Sequence, residues 1–540
     1  MLFLPYFINE KEKCLKNKIS QNFLILMIAL MSIMVIRIET AMRNGMAEFY
    51  IDRWFGKNTS TNEFLQAEPA VFLPAEPETQ EELSVEQEEE IAPQPVDDYA
   101  EPEIRVLLTG ESGYLHKQFE ITFEQDYYIQ NGQEVYLGEG KTVLRESDIE
   151  ALFARQKENN ESETSCIVIG IWENGAWNME ENWCLWMDSE QTPGKYQGIL
   201  VIRKAEGTAA TDAAGYYLVN TLPLESYLCY VLPSEMPSDF PEEALKAQAV
   251  CARSYAMLQM NQERLSEYGA DVDDTTAFQV YHAQETTPAA IQAVEETEGI
   301  YLSYEEEPIE AFYYACSCGH STTAEIWRDR ADYQYPYLIY KDYGTLEEEV
   351  SWYRWEYDAA ELDLASLKNR LSELLADRPD ALRILEVSGN HPDEMKEVTE
   401  IGKMQEAITQ MNSIQKLEVA GRLEGDVADE LMIVSGRYHI MVESEYCIRK
   451  VLAADGYRLT RQDGSISDHL TMVPSGFFEL ETVKSGGNVS GFLLQGGGFG
   501  HGVGMSQYGA KYLAEAGYDY QYILTYYYEN VTIEALRQSH

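Results

Sequence analysis

From Ile104 onward, apolar residues come in short runs separated by polar and glycine-containing stretches: IRVLL, QFEITF, EVYLG, CIVIGIW, GILVIR and YYLVNTL. Runs of this length, rich in β-branched and aromatic residues, predict strands. The spacing then changes. Pro241 suits the first position of a helix, Glu242 and Glu243 suit the positive end of its dipole, and Leu245, Ala249, Ala252 and Ala256 recur on one face, which predicts a helix from Pro241 to about Gln262. A second helix is predicted over Pro288 to Glu298, with Thr287 as its cap and Gly299 as its stop. Ser506 suits the N-cap of a third, which carries Tyr508, Ala510, Tyr512, Leu513 and Ala514 and is closed by Gly517. Between about 343 and 428 the text is charged and reads as helical, and strand-like text returns at Glu430 to Glu443. Period-2 and period-3.6 segments mix without βαβ alternation, so the expected class is α+β: a β-rich body with a central packed helix and an N-terminal membrane anchor.

The anchor is read from the run Phe23 to Ile36, FLILMIALMSIMVI, which follows Lys11, Lys13, Lys16 and Lys18. Extended to residue 38 with Arg37 snorkelling, this run reads as an uncleaved signal anchor (23–38), with a basic cytoplasmic segment (1–22) and the remainder outside the membrane. The expected location is therefore the cell membrane, through a single-pass anchor. An acidic, proline-rich linker (39–102) separates the anchor from a body at 103–540. The stretch from Ala67 to Glu103, which runs to the first residue of the body, holds thirteen acidic residues, six prolines and no lysine or arginine, the composition of an extended spacer.

The net charge of -52 excludes nucleic acid as a partner, since polyanions repel and no basic stripe appears. The eight cysteines are scattered through a large chain and do not make a disulfide framework. Cys316, Cys318 and His320 fall within five residues, but no second C-x-x-C or H-x₃-H supplies a fourth ligand, so the reading leans away from a metal and no cofactor is expected.

Two segments carry candidate chemistry. In LPLESYLCYVLPSEMPSDFPEEALKAQAVCARSY (Leu222 to Tyr255), Glu235 stands between Pro233-Ser234 and Met236-Pro237. Flanking prolines place it on a rigid turn rather than in a helix or central strand. A carboxyl set among Met and Pro is partly desolvated, which raises its pKa towards the range of a general acid; the alternative is a solvated loop glutamate. The segment Gly496 to Ala510, GGGFGHGVGMSQYGA, holds seven glycines and His501. Its glycines predict backbone at positive φ or close approach by another segment, and neither nucleotide-binding glycine motif can be laid over them.

These segments, with DTTAFQVY (Asp274 to Tyr281), PIEAFYYACSCGHSTTAEIW (Pro308 to Trp327) and PYL (Pro336 to Leu338) in order between them, resemble the SpoIID/LytB family of cell-wall proteins. The likeness is densest over about 215–338 and 491–533 and thins over the segment 343–428. It implies a peptidoglycan lytic transglycosylase resembling stage II sporulation protein D, cleaving the bond between N-acetylmuramic acid and N-acetylglucosamine with a 1,6-anhydro product, in sporulation and engulfment. The resemblance assigns Glu235 as the acid and then the base, and places Ser234, Lys246, Gln248, Arg253, Tyr281, His501, Ser506 and Gln507 along a glycan-binding groove. A packing role for His501, and buried structural roles for Lys246 and Arg253, are the competing readings. The implied partners are peptidoglycan glycan strands, a cell-wall amidase and a membrane partner of an engulfment complex. An alternative carried by the same resemblance is a non-catalytic, glycan-binding enhancer of an autolysin amidase.

Overall fold

The computed structural model describes residues 101–536, apart from segments at 111–112, 132–133, 139, 159–165, 174–175, 181–182, 188–193, 206–214, 282–285, 328–334, 360, 389–390, 455–456 and 469. The expected cytoplasmic segment 1–22, the anchor 23–38 and all but the last two residues of the linker 39–102 lie outside the described residues. Among the described residues, no helix is long and apolar enough to cross a membrane.

The apolar runs become strands β1 (Glu103–Leu107), β2 (Tyr127–Asn131), β3 (Glu134–Gly138), β4 (Cys166–Glu173), β5 (Ile199–Ala205) and β6 (Gly215–Pro223), joined by the short β7 (Val272–Asp273). They form one sheet in the order β7-β1-β6-β5-β4-β2-β3. Neighbours are antiparallel, with Glu103 opposite Pro223 and Ile199 opposite Thr221, except for the parallel contact of β1 with β7. A second sheet is built on Phe119–Phe123, whose alternate residues Phe119, Ile121 and Phe123 are buried. This is the expected α+β class, and antiparallel neighbours exclude a doubly wound parallel sheet.

Helix α1 (Leu224–Glu235) leaves β6 directly, and α2 (Glu242–Gln262) follows after one turn. Residues from Ala244 to Ala256 are buried on nearly every side of α2, so it is the central packed helix that was expected. Its many alanines let α1, the helix Pro288–Glu295 and the C-terminal helices approach closely.

The chain leaves this body at Trp355 and returns at Gly496, two residues directly opposite each other on antiparallel strands. What lies between has its own apolar core, centred on Leu371, Ile384, Ile408, Leu431, Ile440, Ile448 and Leu494. The segment 343–428, expected to be helical, is mixed: helices Leu364–Asp377 and Ile401–Gln410 alternate with strands Trp355–Ala359, Leu382–Ser388, His391–Val398 and Lys416–Leu423. Its charged residues occupy outward positions of strands whose inward positions are Trp355, Tyr357, Leu382 and Ile384, so high charge concealed a period of two.

Candidate functional site

Glu235 is not on a turn, as its flanking prolines predict, but is the last residue of α1. The helix forms because Leu224, Tyr227, Leu228, Val231 and Leu232 make a stripe at helical spacing, and all five are buried. Burial of that stripe outweighs the cost of Pro233, which falls in the last turn, where only one ladder bond is lost. Ser234 turns its hydroxyl back to the carbonyl of Tyr230 at 3.1 Å, so it braces the helix end. Met236 takes the extended conformation that a following Pro237 demands, and the helix stops there.

The Glu235 side chain is half-buried, and the backbone N–H of Val280 donates to its Oε1 at 2.8 Å. Among the described residues no lysine or arginine pairs with it. Burial pushes its pKa up to about 7, opposed by the Val280 hydrogen bond. Val280 belongs to the segment Asp274 to Tyr281, whose first turn is fixed by the residue before it: Asp273 accepts from the N–H and hydroxyl of Thr275 at 2.9 and 2.7 Å. The preceding Gln279 is buried and joins two phenols, accepting from Tyr227 and lying 3.3 Å from the hydroxyl of Tyr313. Both phenols face Glu235, and burial holds both well above their ordinary range. A second carboxyl, Asp274, is pushed up to about 6 by burial, but it is engaged by the N–H and hydroxyl of Thr109.

The glycine-rich segment meets this assembly through Gln507, whose Nε2 donates to the backbone carbonyl of Glu235 at 2.9 Å and lies 3.4 Å from Oε1 of the buried Gln248. Its glycines are there for the reason expected. At Gly504 (φ 78°) an added Cβ would lie 2.0 Å from the Phe312 carbonyl oxygen, and at Gly500 (φ 115°) 2.7 Å from Cβ of Tyr314. That closeness lets β8 (Tyr313–Tyr314) pair in parallel with β9 (Met505–Ser506), immediately before helix α3 (Gln507–Glu515).

The remaining residues assigned by resemblance are not gathered around Glu235. Ser506 is buried, caps α3 by accepting from Gly509 N–H at 3.3 Å, and donates to Oε2 of the buried Glu347 at 2.8 Å. Lys246 is held by Glu242, Glu243 and Glu296 at 2.6, 3.0 and 2.6 Å. The guanidinium of Arg253 is wholly buried, paired with Glu225 and donating to the carbonyls of Ile300 and Val294. Tyr281 is wholly buried and donates to Asn220 at 2.8 Å. Lys246 and Arg253 are thus both committed to carboxylates of the fold. His501 lies among Phe312, Tyr314 and Trp327, with ring centroids 6.1, 5.7 and 5.2 Å away. Burial, helped by the positive Arg449, pushes its pKa down to about 3, and its Nδ1 accepts from Val503 N–H at 3.1 Å. It is therefore a neutral imidazole with its proton on Nε2.

The thiol of Cys316 turns to the carbonyl of Ser317 at 3.2 Å, while Cys318 lies 3.5 Å from Nε2 of His320. Burial raises both thiols, that of Cys318 to about 11. No cluster of three or more His, Cys, Asp or Glu side chains that could hold a metal ion occurs among the described residues.

Residues 212–304, which contain α1, α2 and the loop that holds Glu235, match the family profile described as Stage II sporulation protein. The chain is 31% identical over 308 residues to the amidase enhancer of Bacillus subtilis, covering 56% of this chain and 39% of that protein. It is 27% identical over 329 residues to stage II sporulation protein D of Bacillus amyloliquefaciens, covering 58% of this chain and 75% of that protein. The Bacillus subtilis stage II sporulation protein D is 29% identical over the same length. Over residues 212–304 the chain thus matches the SpoIID family, and its similarity to these relatives extends over 308 to 329 residues.

The SpoIID match takes in Glu235, Gln248, Gln279 and Val280, whereas Tyr313 and Gln507 come from outside it. Val280, Gln279, Tyr227 and Tyr313 are not among the residues that the resemblance assigns to the site. Val280 acts through its backbone, which no side-chain pattern reveals. Tyr227 and Tyr313 sit within apolar runs and read as core; Tyr227 is wholly buried there, and Tyr313 is half-buried against it. The arrangement can hold one carboxyl protonated near neutrality and give it up to an adjacent acceptor.

Proposed function

We propose that this protein is a peptidoglycan lytic transglycosylase acting on the cell wall during sporulation, with Glu235 as its acid and base. The single observation that supports this reading is Glu235 itself: half-buried, paired with no lysine or arginine among the described residues, held by a backbone N–H and raised to about 7. A group with that pKa is populated in both protonation states at neutral pH, as a residue that must give and then retrieve a proton requires. Glu235 donates its proton to the glycosidic oxygen as the bond to the muramoyl C1 breaks. The resulting carboxylate then takes the proton of the muramoyl C6 hydroxyl as that oxygen closes on C1. The products are a 1,6-anhydromuramoyl end and a free N-acetylglucosamine hydroxyl; no water is consumed. One carboxyl suffices because the nucleophile belongs to the substrate, unlike paired-carboxylate hydrolases. Release of 1,6-anhydro products from glycan strands by wild type, and its loss in Glu235→Gln, is the test.

A second reading is favoured by one comparison, the relative named amidase enhancer. In it the site binds glycan for a partner amidase without cleaving it. Glycan binding and stimulation of an amidase, with no anhydro product from wild type, would establish that reading. We further propose that the body lies outside the membrane on the anchor at 23–38; protease added to intact protoplasts should then remove it.

A further inference from the structure

We propose that Gln507 is a positioning residue for Glu235, fixing the end of its helix from the glycine-rich segment rather than touching glycan. The inference rests on the transglycosylase reading and assigns a task within it. The last carbonyls of a helix have no partner within it, and that of Glu235 would be such an orphan one residue from the break at Met236. Gln507 supplies the partner at 2.9 Å. Only 7% of Gln507 is exposed. It is itself held firmly: it is the first residue of α3, behind a serine cap tied to Glu347, on a strand paired with Tyr313–Tyr314. The same Nε2 also reaches Gln248 on α2, so amides from two helices converge on the end of a third. Nε2 of Gln248 is buried and has no hydrogen-bond partner among the described residues, where Gln507 is what orients that amide.

The physical consequence falls on the carboxyl. A carbonyl at a helix C-terminus carries partial negative charge, and an unsatisfied one beside Glu235 disfavours its ionised form. Gln507 offsets that charge, and by fixing the helix end it keeps Oε1 in reach of Val280 N–H. Removing its amide therefore raises the pKa of Glu235 further. The titratable groups that face Glu235 are Tyr227 on its own helix and Tyr313 on β8, both held well above their ordinary range, while α2 and α3 present the amides of Gln248 and Gln507. Between pH 5 and 9, on the order of the range where carboxyls and imidazoles titrate, Glu235 alone in this group changes charge.

The test compares wild type, Gln507→Leu, Gln248→Leu and the double variant in the full chain, measuring anhydro-product release against pH. Because the acid must start protonated, activity falls as pH rises through its pKa. Gln507→Leu should move that alkaline limb upward by about half to one pH unit and lower kcat roughly tenfold with KM nearly unchanged. Gln248→Leu should give a smaller shift of the same sign, and the double variant no more than Gln507→Leu, since Gln248 acts through Gln507. A raised KM with an unmoved limb would make Gln507 a glycan-binding residue and overturn the proposal, as would no change in either. Should Gln507→Leu fail to fold, the shift in Gln248→Leu decides.

A second measurement needs no cleavage. With its pKa raised, Glu235 favours the folded state fully below its unfolded value and loses that contribution as pH rises to the folded value. Melting temperatures of parent and Glu235→Gln should therefore diverge with rising pH, and the divergence should extend to higher pH with Leu at position 507. If wild type releases no anhydro product, the transglycosylase reading fails while this comparison still stands. Divergence over the same pH range in both backgrounds would sink the positioning role.

Discussion

At the scale of single residues, environment separates two groups that the sequence marks equally. Glu235 and His501 are each conspicuous in the sequence, yet burial acts on them oppositely, keeping the carboxyl protonated to about 7 and the imidazole unprotonated down to about 3. Glu235→Gln keeps the size of the side chain but cannot donate and retrieve a proton, so anhydro-product release should fall by about a hundredfold or more. The same substitution removes a carboxyl that costs stability once ionised, so its melting temperature should match wild type near pH 4.5 and exceed it above pH 7, by a stability increment of about 2 kcal/mol after allowing for partial exposure. A Glu235→Gln protein less stable than wild type at pH 8 would contradict the desolvated setting. His501 carries the reverse linkage: its contribution is full above the ordinary imidazole range and lost as pH falls towards 3. His501→Gln should therefore lessen acid destabilisation between about pH 6 and 4, measured as the change in melting temperature over that interval. An alkaline activity limb near neutrality should persist in His501→Gln, since that histidine does not titrate there.

At the scale of elements, what was legible followed from periodicity, and what was hidden followed from packing. The strands from Ile104 to Pro223, the helix after Pro241 and the serine cap at Ser506 appear where the pattern placed them. The helix ending at Glu235 is hidden in the sequence because Pro233 and Pro237 argue for a turn, whereas the stripe from Leu224 to Leu232 that forms it shows its weight only once buried. Lys246 and Arg253 show a different limit. Their seven-residue spacing places them on one helix face, but whether such a face meets a groove or a carboxylate is decided by residues as distant as Glu225 and Glu296. The glycines of the segment Gly496 to Ala510 do mark close approach, and the tightest approach to backbone among them makes a sharp prediction. Gly504→Ala requires a positive φ and a Cβ against the Phe312 carbonyl, so the pairing of β8 with β9 must open. A loss of about 3 kcal/mol or more is expected in chemical denaturation, with glycan cleavage lost alongside it. Gly436→Ala, with a positive φ but open space around its Cβ, should cost only about 1 kcal/mol. Equal costs at the two positions would show that conformation alone, and not the approach of Phe312, sets the requirement for glycine.

At the scale of the whole molecule, two apolar cores meet along the segment that carries His501 and Gln507. Consecutive phenylalanines mark the seam: Phe477 packs into the core of the body and Phe478 into that of the inserted region. From the inserted side, Arg449 is buried and donates to Glu445 at 3.1 Å and to the carbonyls of Val473 and Pro474 at 2.7 and 2.9 Å. Pro474 in turn accepts from Gly500 N–H at 2.9 Å, and Ser475 donates to the carbonyl of Gly497 at 2.6 Å. The inserted region is thus no passive appendage, because its buried ion pair braces the loop on which the glycine-rich segment rests. Arg449→Met keeps most of the side chain's bulk but leaves Glu445 buried without its cation, a change that costs about 3–5 kcal/mol in comparable buried pairs. The loss should appear first at the seam, so calorimetry should resolve the single transition expected of wild type into an earlier and a later one. Glycan cleavage should fall as Gly500 loses its anchor, although Arg449 touches no part of the Glu235 assembly. Adding Glu445→Gln removes the stranded charge and should recover much of the stability, but not the bonds to Val473 and Pro474, so cleavage should stay low. Recovery of both together would mean that the ion pair serves stability alone, and that the body holds its glycine-rich segment without help from the inserted region.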